Sequence, residues 1–67
     1  MTVFADRLKE LRTEKNLKQA ELAKLLLVDQ RSISNWENGV REPSFEMLAK
    51  TAKFFEVSCD YLLGLED

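Results

Sequence analysis

The sequence predicts an all-α fold of five helices in one compact domain, on three observations. Sixty-seven residues, 45% of them apolar and 33% charged, hold only two Gly and one Pro, a composition that suits a single soluble helical domain. Apolar residues recur at helical spacing along the chain rather than in strict alternation. Each such stretch is also bounded by a residue that starts or stops helices. A chain this short buries only roughly 60% of its unfolded surface, so the core must be small and dimerisation is an expected source of further stability.

Taken in order, Phe4, Leu8 and Leu11 recur at i, i+4 and i+7 with Asp6, Arg7, Lys9 and Glu10 between them. They predict a first helix from Val3 to Lys15. Asn16 tolerates the left-handed conformation that ends helices, and Leu17 supplies the hydrophobic contact beyond it. A second helix is expected over Gln19 to Leu26, burying Leu22, Ala23 and Leu26. Glu21 lies three residues after Lys18, so half of a capping box is present, but lysine has no oxygen with which to complete it. That lost cap costs about 1 kcal/mol, and a positive charge at a helix N-terminus opposes the dipole unless an anion docks there.

Asp29 is a good N-cap for a third helix over residues 30–38, which the Asn38-Gly39 pair ends. Asn-Gly also marks hairpins, but the flanking periodicity is helical rather than alternating. Val40 to Pro43 link this helix to Ser44, the cap of a fourth helix over Phe45 to Phe55 with Leu48, Ala52 and Phe55 inward. Ser58 caps a short fifth helix with Leu62 and Leu63 on its apolar side, so helices 4 and 5 occupy residues 44–64. The sequence contains no internal repeat, low-complexity stretch or linker, which makes residues 1–67 one domain.

Composition excludes several classes of function. No apolar run approaches the roughly 20 residues needed to span a bilayer, and the start of the chain lacks a signal-peptide pattern, so a cytoplasmic location is expected. With no His and one Cys, the chain has neither a zinc-ligand set nor a Cys/His or Ser/His nucleophilic arrangement. No enzyme activity, metal or cofactor is expected. The single thiol, Cys59, falls at the first turn of helix 5, where it reads either as a small packing residue or as a redox-sensitive group.

Net charge is −2, yet residues 1–41 hold eight Lys/Arg against six Asp/Glu (+2) and residues 42–67 hold two against six (−4). Lys15, Lys18, Lys24, Arg31 and Arg41 all lie in the basic part. Phosphate binding depends on the local face rather than on the sum, so this part can still meet a nucleic acid while the acidic part faces away.

Helices 2 and 3, separated by a tight break, have the layout of a DNA-reading helix-turn-helix with its core at 19–38. On helix 3, Ile33 and Trp36 point inward, while Gln30, Arg31, Ser34 and Asn35 form an outward polar face able to hydrogen-bond base edges. Arg31 can donate a bidentate pair to guanine O6 and N7, and Gln30 can pair with adenine N6 and N7. A merely solvated polar face is the alternative. An aromatic beside Ile33 on the inward stripe makes Trp36 a core residue rather than a stacking platform. Phe54 and Leu65 fall off the inward stripes, where they are either dimer contacts or isolated exposed apolar residues.

Five segments together resemble the Cro and lambda-type phage repressor family of helix-turn-helix domains, also called Xre-like. They are Arg-Leu-Lys-Glu-Leu-Arg at 7–12, Gln-Ala-Glu-Leu-Ala at 19–23, Ile33 to Gly39, Pro43-Ser44, and Val57-Ser58 followed by Asp60-Tyr61-Leu62-Leu63. The resemblance covers nearly the whole chain. It implies that Gln19 opens helix 2 and touches phosphate, that Gln30, Arg31 and Asn35 reach bases in the major groove, and that Asn38 grips the DNA backbone. Arg41 then meets phosphate or the minor groove, and Arg12 and Glu37 form a largely buried ion pair. Apart from the resemblance, Lys18 at the start of helix 2 is expected to contact the DNA backbone through its charge, and Ser32 is expected to contact it as well. Three positions depart from the family pattern: Leu27 and Glu56 stand where it has Gly, and Lys18 where it has Ser or Thr. Leucine at a positive φ costs roughly 1 kcal/mol or more, so the turn at Leu27 is expected to be strained or differently shaped.

The implied function is that of a sequence-specific DNA-binding transcriptional regulator, bacterial or phage-encoded and nucleoid-associated when bound. It would act as a repressor and bind a two-fold operator as a homodimer. The alternative is a protein-interaction module on the same fold, such as an antitoxin or an anti-repressor target, that meets a protein antagonist through its apolar and acidic C-terminal half.

Overall fold

Five helices in the order α1 (Thr2–Glu14), α2 (Gln19–Leu26), α3 (Gln30–Glu37), α4 (Phe45–Phe55) and α5 (Cys59–Leu63) make up the computed structural model of the chain, which describes residues 2–66. The ends of the expected 1–67 domain therefore lie outside the described residues. Helix α1 packs on α3 and α5, α2 packs on α3 and α4, and α4 packs on α5. Their facing stripes meet in one core of Phe4, Leu8, Leu22, Ala23, Leu26, Ile33, Trp36, Leu48, Ala52, Phe55 and Leu62. Each large side chain that is fully buried, such as Leu8 or Ile33, contributes roughly 1.5–3 kcal/mol. Trp36 is buried and meets Phe4 edge to face, ring centres 6.4 Å apart, which places it in the core.

Helix starts follow the capping residues. Asp29 Oδ1 accepts the Arg31 N–H at 2.8 Å, Ser44 Oγ that of Met47 at 3.1 Å, and Ser58 Oγ that of Tyr61 at 2.9 Å. At α2 only half of the box forms: Glu21 Oε1 accepts the Lys18 N–H at 2.7 Å, and the lysine side chain returns no cap.

All five helices stop in the same way, with a left-handed residue and a pair of back-bonds to the last turn. For α1 the left-handed residue is Asn16 (φ 57°), with Leu17 N–H donating to the Arg12 carbonyl at 3.1 Å and Asn16 N–H to that of Thr13 at 3.0 Å. The helix thus ends at Glu14, one residue before the expected Lys15. Helix α3 likewise stops at Glu37 rather than at residue 38. Asn38 is its C-cap, and Gly39 at φ 71° closes it. Leu27 (φ 60°) and Glu56 (φ 58°) adopt the same left-handed closure without glycine, so the turn between α2 and α3 is strained but not reshaped.

Two cations act from outside the core. Arg7 stacks on the Tyr61 ring with its guanidinium carbon 4.2 Å from the ring centre, and its Nη1 donates to the carbonyls of Tyr61 and Glu66. It ties the end of α5 to α1. Lys50 of α4 donates from Nζ to the Leu26 carbonyl at 2.8 Å, satisfying the exposed end of α2 with a charge that suits its dipole. Phe54, expected off the inward stripe, packs half-buried against the core and edge to face with Phe55, whereas Leu65 is 73% exposed.

Candidate nucleic-acid interface

The frame for the outward face of α3 is a buried ionic network. Arg12 Nε donates to Glu37 Oε2 at 2.6 Å and Arg12 Nη2 to Glu37 Oε1 at 3.1 Å, a bidentate pair whose side chains are 12% and 2% exposed. Arg12 Nη1 also donates to the Leu17 carbonyl at 2.7 Å, in the link between α1 and α2. Glu37 Oε1 accepts a third bond, 3.0 Å from Gln19 Nε2 at the first position of α2. One carboxylate therefore holds α1, α2 and α3 in fixed register. Among the described residues every buried side-chain nitrogen and oxygen has a partner, as this depth of burial requires.

Upon this frame α3 turns Ile33 and Trp36 into the core and leaves Gln30 and Arg31 exposed on its first turn. Ser34 and Asn35 follow about one turn later and are half-buried. Asn38 is exposed and donates from Nδ2 to Ser34 Oγ at 3.3 Å, a bond between two residues expected to act separately. The Asn35 carbonyl accepts the N–H groups of Val40 and Arg41 at 2.9 and 3.2 Å, so the chain leaving α3 is anchored to it and Arg41 has a defined origin. Lys18 and Arg41 are exposed, and Ser32 is half-buried on the flank of the helix.

Gln19 is half-buried rather than freely solvated, and its bond to Glu37 had no local sequence signal. The first ladder bond of α2 runs from Leu22 N–H to the Lys18 carbonyl at 3.0 Å, which leaves the N–H groups of Gln19, Ala20 and Glu21 outside the helix ladder. The α2 N-terminus thus joins uncapped backbone donors, a helix dipole and the Lys18 ammonium, the chemistry that binds a phosphate oxygen. The outward groups of α3 supply donors and acceptors of the kind that base edges take. No group of His, Cys, Asp and Glu among the described residues is arranged to hold a metal ion, and no described helix is long and apolar enough to cross a membrane.

Comparison with known proteins places the chain in a family. A helix-turn-helix family model matches residues 8–62. The chain is 45% identical over 64 residues to the HTH-type transcriptional activator BcrR of Enterococcus faecalis, covering 96% of this chain and 31% of BcrR. It is 44% identical over 61 residues to the HTH-type transcriptional regulator AnsR of Bacillus subtilis (strain 168), covering 91% of this chain and 53% of AnsR. The chain therefore spans about a third to a half of the length of these curated relatives. Among solved structures, the P22 c2 repressor protein in complex with synthetic operator 9T superposes with a TM-score of 0.83 at 34% identity, covering 88% of this chain and 89% of that one. Such proteins are DNA-binding transcription regulators and not enzymes. The match over residues 8–62, the five-helix architecture and the shared structure show that the chain belongs to the Xre/lambda-repressor-like helix-turn-helix family.

Proposed function

We propose that this chain is a sequence-specific DNA-binding module of a transcription regulator, reading the major groove with the start of α3. The observation that carries the reading is the exposed pair Gln30 and Arg31 at the N-terminal end of a helix whose other face is locked in the core by Ile33, Trp36 and the buried Glu37. Gln30, Arg31, Ser34 and Asn35 read bases. Lys18, Gln19, Ser32, Asn38 and Arg41 hold the sugar-phosphate backbone and set register. The complex of the P22 c2 repressor with a synthetic operator supports double-stranded DNA as the partner.

The regulator is a homodimer on a two-fold operator and acts as a repressor by blocking polymerase access. Its recognition helices enter successive major grooves, with half-site centres about 10–10.5 bp apart or at a multiple of that distance. Leu65, exposed beyond α5, is available for a contact between copies, whereas Phe54 is partly spent on the core. A cytoplasmic, nucleoid-associated location follows from this role.

The test begins with selection of bound oligonucleotides from a random pool, followed by fluorescence titration on the selected duplex and on single-base variants of it. Arg31→Ala is expected to relax discrimination at one base pair by about 1–3 kcal/mol and to leave the other positions as they were. Equal losses on every duplex would remove Arg31 from base reading. A protein partner whose binding survives Gln30/Arg31 double alanine, in a chain with no salt-dependent DNA affinity, would establish the interaction-module reading instead.

A further inference from the structure

We infer that Glu37 is a positioning residue for DNA-backbone contact, acting through the side-chain amide of Gln19. This inference rests on the DNA-binding reading and deepens it. Glu37 is buried and accepts three hydrogen bonds, from Arg12 Nε, Arg12 Nη2 and Gln19 Nε2, at 2.6, 3.1 and 3.0 Å. Two of them belong to the ion pair that braces α1 against α3. The third serves no core contact, because Gln19 stands at the first position of α2, half-buried at the rim beside the exposed Lys18.

Hydrogen-bond chemistry fixes which way that amide faces. A carboxylate accepts and cannot donate, so only the NH₂ end of Gln19 can be directed at Glu37. One amide hydrogen is thus taken, and the other diverges from it and remains available to a phosphate oxygen. In an unbraced glutamine the carbonyl and NH₂ ends exchange places, and half of the orientations present an acceptor that repels phosphate. Glu37 removes those orientations and reduces the rotamer freedom lost on binding. The same carboxylate sits at the last residue of α3, so the phosphate-facing donor and the base-reading face share one anchor.

The test is a double-mutant cycle on DNA affinity with Gln19→Ala and Glu37→Gln, at a temperature where circular dichroism shows all four proteins folded. The probes are the selected duplex of about 30 bp, long enough for two half-sites, and a scrambled duplex of equal length. Each single change is expected to weaken both duplexes by about five- to tenfold, the loss of one hydrogen bond, and the double variant is expected to be no weaker than either single one. Multiplicative losses in the double variant would mean that Glu37 acts on the fold alone and would overturn the inference.

A second measurement needs only the unmodified chain. The side-chain amide hydrogens of Gln19 are expected to exchange with solvent several-fold more slowly than those of the exposed Gln30, as resolved by NMR. Equal exchange at the two residues would also overturn the inference. Absence of affinity for either duplex in the unmodified chain would instead overturn the DNA reading, and the inference with it.

Discussion

Leu27→Gly should stabilise this protein, although it deletes a whole side chain. Leu27 closes α2 in the left-handed region at φ 60° and ψ 43°, its N–H donating to the Lys24 carbonyl and that of Val28 to the Ala23 carbonyl at 3.2 and 2.9 Å. An L-residue held there carries about 1–2 kcal/mol of strain that glycine does not. Leu27 is 82% exposed, so its removal forfeits only about a fifth of the ~2 kcal/mol of burying a leucine, ~0.4 kcal/mol. Glycine also loosens the unfolded chain, which costs a further ~0.5 kcal/mol. The balance is a gain of about 0.5 kcal/mol, or a rise of roughly 2–4 °C in Tm for a domain of this size. Leu27→Ala is the control, since it keeps the strain and loses the contacts, lowering Tm by about 2–3 °C. Thermal unfolding followed by circular dichroism on the three proteins separates the two contributions. If the glycine variant melts at or below the alanine variant, the left-handed strain assigned to this turn is wrong.

Other perturbations follow from the same geometry. Arg12→Met leaves the 2% exposed Glu37 carboxylate without its cation and should cost about 3–5 kcal/mol, much of the stability of a domain this small; urea unfolding measures it, and a loss under 1 kcal/mol would mean that the pair is not desolvated. Gly39 and Gly64 both sit at positive φ, but a Cβ on Gly39 meets nothing within 4 Å whereas one on Gly64 falls 2.8 Å from Val3 Cγ1. Gly39→Ala should therefore cost about 1 kcal/mol and Gly64→Ala about 2–3 kcal/mol, an order that chemical denaturation can reverse. If the exposed cations Lys15, Lys18, Lys24 and Arg41 all meet phosphate while Arg31 reads a base, the slope of log affinity on log salt reaches about −3.6 per bound chain. A steeper slope in titrations on the isolated chain would require phosphate contacts from elsewhere on it, and Lys18→Ala should flatten the slope by about 0.9.

What the sequence made readable is local, and what it hid is long-range. The starts of α3 and α4 were legible because Asp29 and Ser44 are capping residue types at the head of stretches whose apolar residues recur at helical spacing, and a cap acts within three residues of its own position. Lys18 was legible for the opposite reason, since a side chain without an acceptor cannot cap and only the Glu21 arm of the box forms. The end of α1 differed by one residue because the left-handed Asn16 draws the back-bond from Leu17 to Arg12 and takes Lys15 out of the helix. The polar faces of α2 and α3 followed from periodicity, but periodicity cannot show that Gln19 leans across to Glu37, because that contact exists only once the helices have packed. Arg7 is the plainest case. It lies among charged residues on α1, and its partners at Tyr61 and Glu66 are more than 50 residues away in sequence.

A few residues give this acidic chain a basic face. Of its ten Lys and Arg residues, Arg7 and Arg12 are half-buried and Lys50 is exposed but tethered to the end of α2; together they bind backbone carbonyls and one carboxylate. Of the exposed cations, those at 15, 18, 24, 31 and 41 lie between the end of α1 and the loop after α3 and those at 9, 50 and 53 lie outside that stretch, while residues 42–67 carry a net −4. Under the DNA-binding reading, the non-specific phosphate attraction is then supplied by a few residues and stays weak. Discrimination rests on base contacts, each worth about 1–3 kcal/mol. Phosphate contacts contribute alike to matched and scrambled duplexes made with the same docking geometry, so raising salt lowers both affinities together and leaves their ratio nearly unchanged. A ratio that collapsed with salt would place the discrimination in the charges instead, and the outward side chains of α3 would lose their reading role.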